Sequence, residues 1–160
     1  MSEKDLREEL YASFKNRAMM YCHIFQVLRK EVGDEKATHI MKRGIYNRGV
    51  ELGKKYEKYG PANLEGLKEA FLASSADQGR MFQPEVLHCD GERLEIKMRS
   101  CPLKEAWQEA GLSDQEIAKM CEIAAVVDEG IFAGAGFQFS GETWRPGQEG
   151  CCRLQIRPGK

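Results

Sequence analysis

Through about the first 75 positions, apolar residues recur at three- and four-residue steps. Leu6, Leu10, Phe14, Ala18, Tyr21, Phe25 and Leu28 form one such series, the spacing of a single helix face. Ser2 followed by Asp5 predicts the start of that helix, and Val32-Gly33-Asp34 ends it and caps the next. A second helix is predicted over about 35–59, with Ala37, Ile40, Met41, Gly44, Ile45, Leu52 and Tyr56 turned inward and Gly60-Pro61 as its stop. A third, shorter helix covers about 64–74.

The period then changes from helical to alternating. Val86 and His88, then Asp90-Gly91, then Leu94, Ile96 and Met98 predict a β-hairpin at about 84–100 around a two-residue turn. Cys101-Pro102 opens a short helix that Gly111 ends, because Pro is favoured at the first helical position. Ser113-Asp114-Gln115-Glu116 is a capping box, and one long helix is expected from it to about Ala133. Phe137-Gln138-Phe139 and Cys152 to Ile156 alternate as strands, joined through Trp144-Arg145-Pro146-Gly147. The predicted class is α+β: a helical part over 1–78, then a hairpin, helices and a second hairpin over 79–160, with about four antiparallel strands in one domain.

Composition narrows the function classes. A chain of 160 residues with 24 Lys+Arg, 25 Asp+Glu and a formal charge of −1 gives no electrostatic reason to expect nucleic acid or an anionic membrane as partner. That balance conceals a basic stretch from Arg29 to Lys58 and an acidic one from Pro102 to Gly150. No apolar window is long enough to span a bilayer, and the first residues lack a signal-peptide pattern, so a cytoplasmic location is expected. Six cysteines in a reducing compartment then need a role other than disulfides: packing, metal ligation or nucleophilic chemistry.

Cys101 has the strongest local argument, since the amides and dipole at a helix N-terminus stabilise a thiolate. Cys121 and Asp128, seven residues apart with Ala124 and Ala125 between them, would share a helix face with room beside it. Cys151 and Cys152 are adjacent, so in a regular strand one would face the core with Leu154 and the other would point away; a bulge would relax that parity. Cys101, Cys121, Cys151 and Cys152, with His88 and Cys89, are ligand types that zinc takes, although no pair of closely spaced CxxC motifs is present. Cys22, within an apolar face, reads as packing. On the basic helix His39, Arg43 and Tyr46 project together and would suit a small carboxylate. No phosphate loop, dinucleotide fingerprint, serine elbow or zincin motif occurs.

The run Cys101-Pro102-Leu103-Lys104-Glu105-Ala106-Trp107, followed by Gly111-Leu112-Ser113, Cys121, Asp128-Glu129-Gly130, Phe137-Gln138-Phe139, Thr143-Trp144, Gly147 and Cys151-Cys152, resembles the L-2-amino-thiazoline-4-carboxylic acid hydrolase family. The resemblance implies hydrolytic opening of 2-aminothiazoline-4-carboxylate to a carbamoyl-cysteine in bacterial cysteine metabolism. On that expectation Asp128 is the general base, Cys101 with Cys121 the catalytic thiols, and Arg43, His39, Tyr46 and Trp144 the substrate contacts. The rival expectation is a non-catalytic sensor domain whose cysteine-lined cavity binds a small molecule or a metal. The long apolar helices also leave open a homodimer.

Overall fold

The computed structural model describes all residues from Met1 to Lys160. Six α-helices and four strands follow the predicted order: α1 (Glu3–Val32), α2 (Asp34–Gly53), α3 (Leu64–Ala73), β1 (Pro84–Cys89), β2 (Leu94–Met98), α4 (Pro102–Glu109), α5 (Asp114–Ala124), α6 (Val126–Gly134), β3 (Gln138–Glu142) and β4 (Arg153–Arg157). Ser2 and Asp5 form a reciprocal capping box at the start of α1, Cys101 caps α4 ahead of Pro102, and the Ser113 hydroxyl accepts from the Glu116 amide at the start of α5. The strands make one antiparallel sheet in the order β1-β2-β4-β3, so the second hairpin joins the first through β4. No helix is long and apolar enough to cross a membrane.

Two predicted helices are each divided. The second is α-helical only to Gly53 and continues as a tighter 3₁₀ segment over Lys54–Tyr59. The expected long helix breaks at Ala125, where the Asp128 amide turns back to the Ala125 carbonyl at 3.1 Å, and α6 starts on a new course. The first hairpin also differs from its prediction. Its loop spans 90–93, because the Asp90 carboxylate accepts the Glu92 and Arg93 amides at 2.9 and 2.8 Å and the Asp90 amide bonds to the Arg93 carbonyl. A bulge at Leu87 then shifts the register, so that Val86 opposes Ile96 while His88 opposes Glu95. His88 therefore leaves the face that Leu94 and Ile96 share.

The core has two clusters. One gathers Phe25, Ile45, Trp107, Met120 and Trp144 among α1, α2, α4 and α5. The other joins Leu67, Phe132 and Phe137 to the inner sheet face of Leu94, Ile96, Leu154 and Ile156. Trp107 ties α4 to α1 by donating its Nε1–H to the Ala18 carbonyl at 2.9 Å. Leu6 and Leu10 on α1 and Ile40 on α2, expected on core faces, are exposed.

Between the clusters α2 and α6 meet backbone to backbone. A methyl group at Gly49 would overlap the Val127 carbonyl, at Gly53 the Ile131 carbonyl, at Gly130 the Tyr46 carbonyl and at Gly134 the Val50 carbonyl. Gly44, expected to face the core, is exposed and has nothing within 4 Å of such a methyl. The two positions should therefore respond with opposite signs. By thermal and urea unfolding, Gly49→Ala or Gly130→Ala should lose roughly 1–3 kcal/mol or more, because neither backbone can give way. Gly44→Ala should gain about 0.5–1 kcal/mol from helix propensity alone.

Candidate functional site

A cavity of about 300 Å³ lies at the seam of the two clusters, and 17 of its 22 lining residues are apolar. Its shape follows from the break between α5 and α6. Gly130 and Gly134 commit one face of α6 to α2, and Val127, Asp128 and Ile131 on the neighbouring face reach the cavity. Cys121 and Ala124 from α5 continue that wall across the break. Trp107, Leu103 and Cys101 close it from α4, Phe14 and Arg17 from α1, and Leu52, Lys55 and Tyr56 from the end of α2 and its 3₁₀ extension.

Both Cys151 and Cys152 line the cavity. They precede β4 in irregular backbone, so the parity of a regular strand does not separate them, and their Sγ atoms lie 3.8 Å apart. The segment is firmly held: the Cys151 amide donates to the Met98 carbonyl at 2.8 Å, the Met98 amide donates to the Cys152 carbonyl at 2.8 Å, and Lys97 Nζ donates to the Cys151 carbonyl at 2.7 Å. Lys104 Nζ binds the Gly150 carbonyl just upstream.

These positions bring four thiols and one carboxyl to one wall. Interaction with Cys101, Cys121 and Cys152 lowers the pKa of Cys151, and interaction with Cys151 together with burial raises those of the other three. The amides of Lys104 and Leu103 at the N-terminus of α4 do favour a Cys101 thiolate, as expected of a cap, but interaction with Cys151 and burial outweigh them. Within this cluster the balance of burial and thiol contacts favours ionisation at Cys151 over Cys101, which the sequence had singled out. Asp128 is pushed up to about 7, first by burial and then by the negative charge on Cys151. It sits on an apolar wall and still has accessible surface, as a group that meets a ligand must.

The other candidates lie elsewhere. His39 and Arg43 are exposed and Tyr46 is half-buried, because α2 turns Ala37, Met41, Ile45 and Gly49 inward and leaves 39, 43 and 46 on its outer side. His39 borders a shallow surface depression of about 550 Å³ whose only apolar lining residue is Val32. Although larger, that depression holds none of the thiols. Trp144 is buried in the first cluster, donates to the Gln148 carbonyl at 3.0 Å and carries the Lys104 ammonium 5.2 Å from its ring centre. It braces the loop before Cys151 without lining the cavity. His88 pairs with Asp90 at 2.6 Å and Cys89 donates to Glu65 at 3.3 Å, so neither joins the four thiols. No group of three or more His, Cys, Asp or Glu is arranged to hold a metal ion.

The cations at the cavity are ones that sequence reasoning passed over. Arg17 lies over the Phe14 ring at 4.7 Å and Lys55 over the Tyr56 ring at 4.8 Å, and both of those rings line the cavity. Arg17 follows Phe14 by three residues, a helical neighbour, which was the available signal. Lys55 lies beyond the point where α2 tightens, and its placement depends on that change of pitch.

Comparison with known proteins adds two findings. A trafficking protein particle complex subunit 3 from Naegleria fowleri, whose crystal structure has it covalently bound to palmitic acid, superimposes with a TM-score of 0.52 over 93% of this chain and 96% of its own, at 12% sequence identity. At that identity the likeness is one of fold. No curated protein matches the chain in sequence. The family model of L-2-amino-thiazoline-4-carboxylic acid hydrolase matches residues 13–155, from the α1 segment that carries Phe14 and Arg17 to the start of β4 beyond Cys151 and Cys152, and the chain belongs to that family.

Proposed function

We propose that the protein is a hydrolase that opens the ring of a small thiazoline carboxylate, 2-aminothiazoline-4-carboxylate to carbamoyl-cysteine, within the thiol-lined cavity. The observation that carries this reading is the Asp128 carboxyl, raised to about 7 on an otherwise apolar wall beside Cys151. A carboxyl poised near neutral pH both takes and returns a proton efficiently. Asp128 draws a proton from water as the water oxygen bonds to the ring carbon C2. The C2–S bond then breaks with its electrons on sulfur, since a thiolate leaves far more readily than an amide anion. One proton from water ends on the ring nitrogen and the other on the sulfur. Cys151 holds negative charge opposite the amidine, supported by its three thiol neighbours. Arg17 and Lys55 are the cations at this cavity that suit the substrate carboxylate, in place of Arg43 and His39.

The apolar share of the wall favours a second reading, ligand binding without turnover. Saturable binding of the thiazoline carboxylate with no ring opening, by the purified full chain, would establish that reading in place of the hydrolase.

Asp128→Asn should lower kcat by about 10²-fold or more if Asp128 is the base. In the unsubstituted protein kcat/KM should rise with pH through an apparent pKa near 7, because the base must be ionised. Turnover by Asp128→Asn equal to that of the unsubstituted protein would remove the assignment.

The same substitution has a substrate-free readout. The folded protein keeps the Asp128 proton up to about pH 7, whereas the unfolded chain releases it near the ordinary carboxyl value of about 4. Between those two pH values the folded state binds the extra proton, so raising the pH lowers stability, and the loss levels off above about 7. Asp128→Asn lacks that loss. Its stability relative to the unsubstituted protein should climb by up to a few kcal/mol from pH 4 to pH 7, measured by urea unfolding. Parallel curves would place the carboxyl in an unperturbed setting.

A further inference from the structure

The wall away from the thiols is more than ring opening requires. Tyr56, Phe71 and Ile131 belong to the second core cluster or pack against it, and with Leu52 they form an apolar part of the cavity lining. Two hydroxyls on that side are already committed to each other: Ser74 Oγ donates to the Phe71 carbonyl at 2.9 Å, and the Tyr56 hydroxyl lies 2.5 Å from Ser74 Oγ. Apart from Ser74 and Ser75, what faces the cavity there is aromatic and aliphatic surface. Arg17 and Lys55 stand over lining rings, and neither is in a hydrogen bond or an ion pair. Asp128, raised to about 7 by burial, is the only carboxyl on the wall.

Unpaired cations together with an apolar surface and a single carboxyl describe a receptor for an amphiphile. We infer that the ligand is a carboxylic acid bearing an apolar substituent, with its carboxylate at Arg17 and Lys55 and its substituent against Tyr56, Phe71, Leu52 and Ile131. This rests on the reading of the cavity as the substrate site and narrows it: the preferred substrate is a thiazoline carboxylate extended by an alkyl or aryl group, in preference to the bare ring. Hydrogen-bonded thiols hold the reacting end, and the wall beyond them selects by apolar contact.

Calorimetric titration of the full chain at pH 7 with straight-chain alkanoates from butanoate to decanoate tests this without requiring turnover. Burial of each methylene should lower Kd roughly three- to fourfold until the cavity is filled, with one site per chain. Alkanols of matching length, which lack the charge, should bind at least tenfold more weakly. The double variant Arg17→Gln, Lys55→Gln, changed at two exposed positions, should bring the acids to the level of the alcohols and keep the same gain per methylene. An absence of saturable binding, or a Kd independent of chain length, overturns the apolar subsite. Equal binding of acids and alcohols, or an unchanged double variant, overturns the head-group assignment and the proposal with it. Ring opening is scored separately: a chain that opens the bare thiazoline but shows a flat alkanoate series keeps the hydrolase reading and loses this one.

Discussion

The direct contact of α2 with α6 sets the geometry of the whole interior. Carbonyls of one helix occupy the spaces left by glycines of the other, at Gly49 and Gly53 on α2 and at Gly130 and Gly134 on α6. Such an approach lets Cα–H groups meet carbonyl oxygens and removes the side chains that would otherwise hold the two axes apart. Once α6 is seated this way its rotation is fixed. Asp128 must then lie beside Val127 and Ile131 on the cavity wall, and Phe132 must fall into the sheet-side cluster. A substitution on this seam acts on the carboxyl through rotation of its helix, at a distance from any ligand.

The break at Ala125 is the second consequence of that seating. α5 packs Ile117, Met120, Cys121 and Ile123 into the first cluster, whereas α6 must follow α2 toward the sheet, and one straight helix cannot serve both. The cavity is the space left where the two directions diverge. Into it comes the Cys151-Cys152 segment, fixed by backbone bonds to Met98 at the end of β2. Three thiols there interact with a fourth, Cys151, and lower its pKa, and burial first and negative charge at Cys151 second oppose ionisation of Asp128. Thiolate and carboxyl thus share one electrostatic balance, in which a cation or a proton on a ligand shifts both groups.

Local signals were legible in the sequence wherever one short stretch sufficed to set them. The Ser2–Asp5 and Ser113–Glu116 caps, the position of Cys101 before Pro102, and the order of all elements follow from neighbouring residues. Helical periodicity put Cys121 and Asp128 on one wall, and the structure brings them there across a break that periodicity does not register. Illegible features depended on distant partners. A bulge at Leu87 moved His88 to the other sheet face, and the glycines at 49, 53, 130 and 134 have meaning only in pairs. Arg43 and His39 drew notice as a basic cluster, but a cluster along a helix records its exposed side as readily as a binding side.

The same distinction explains why the whole-chain charge was a poor guide to the cavity. Three of the nine Lys and Arg residues of the basic stretch are paired with acidic neighbours, Arg29 with Glu116, Lys42 with Glu122 and Arg48 with Glu51. Exposed pairs of this kind contribute little energy and leave little field outside themselves. A cation placed over an aromatic ring keeps its charge available, because a ring face attracts it without neutralising it. Arg17 and Lys55 are in that state at the rim of a mostly apolar cavity. Charge that acts on a ligand is therefore set by which cations lack partners beside a low-dielectric wall, a property that no count along the chain contains.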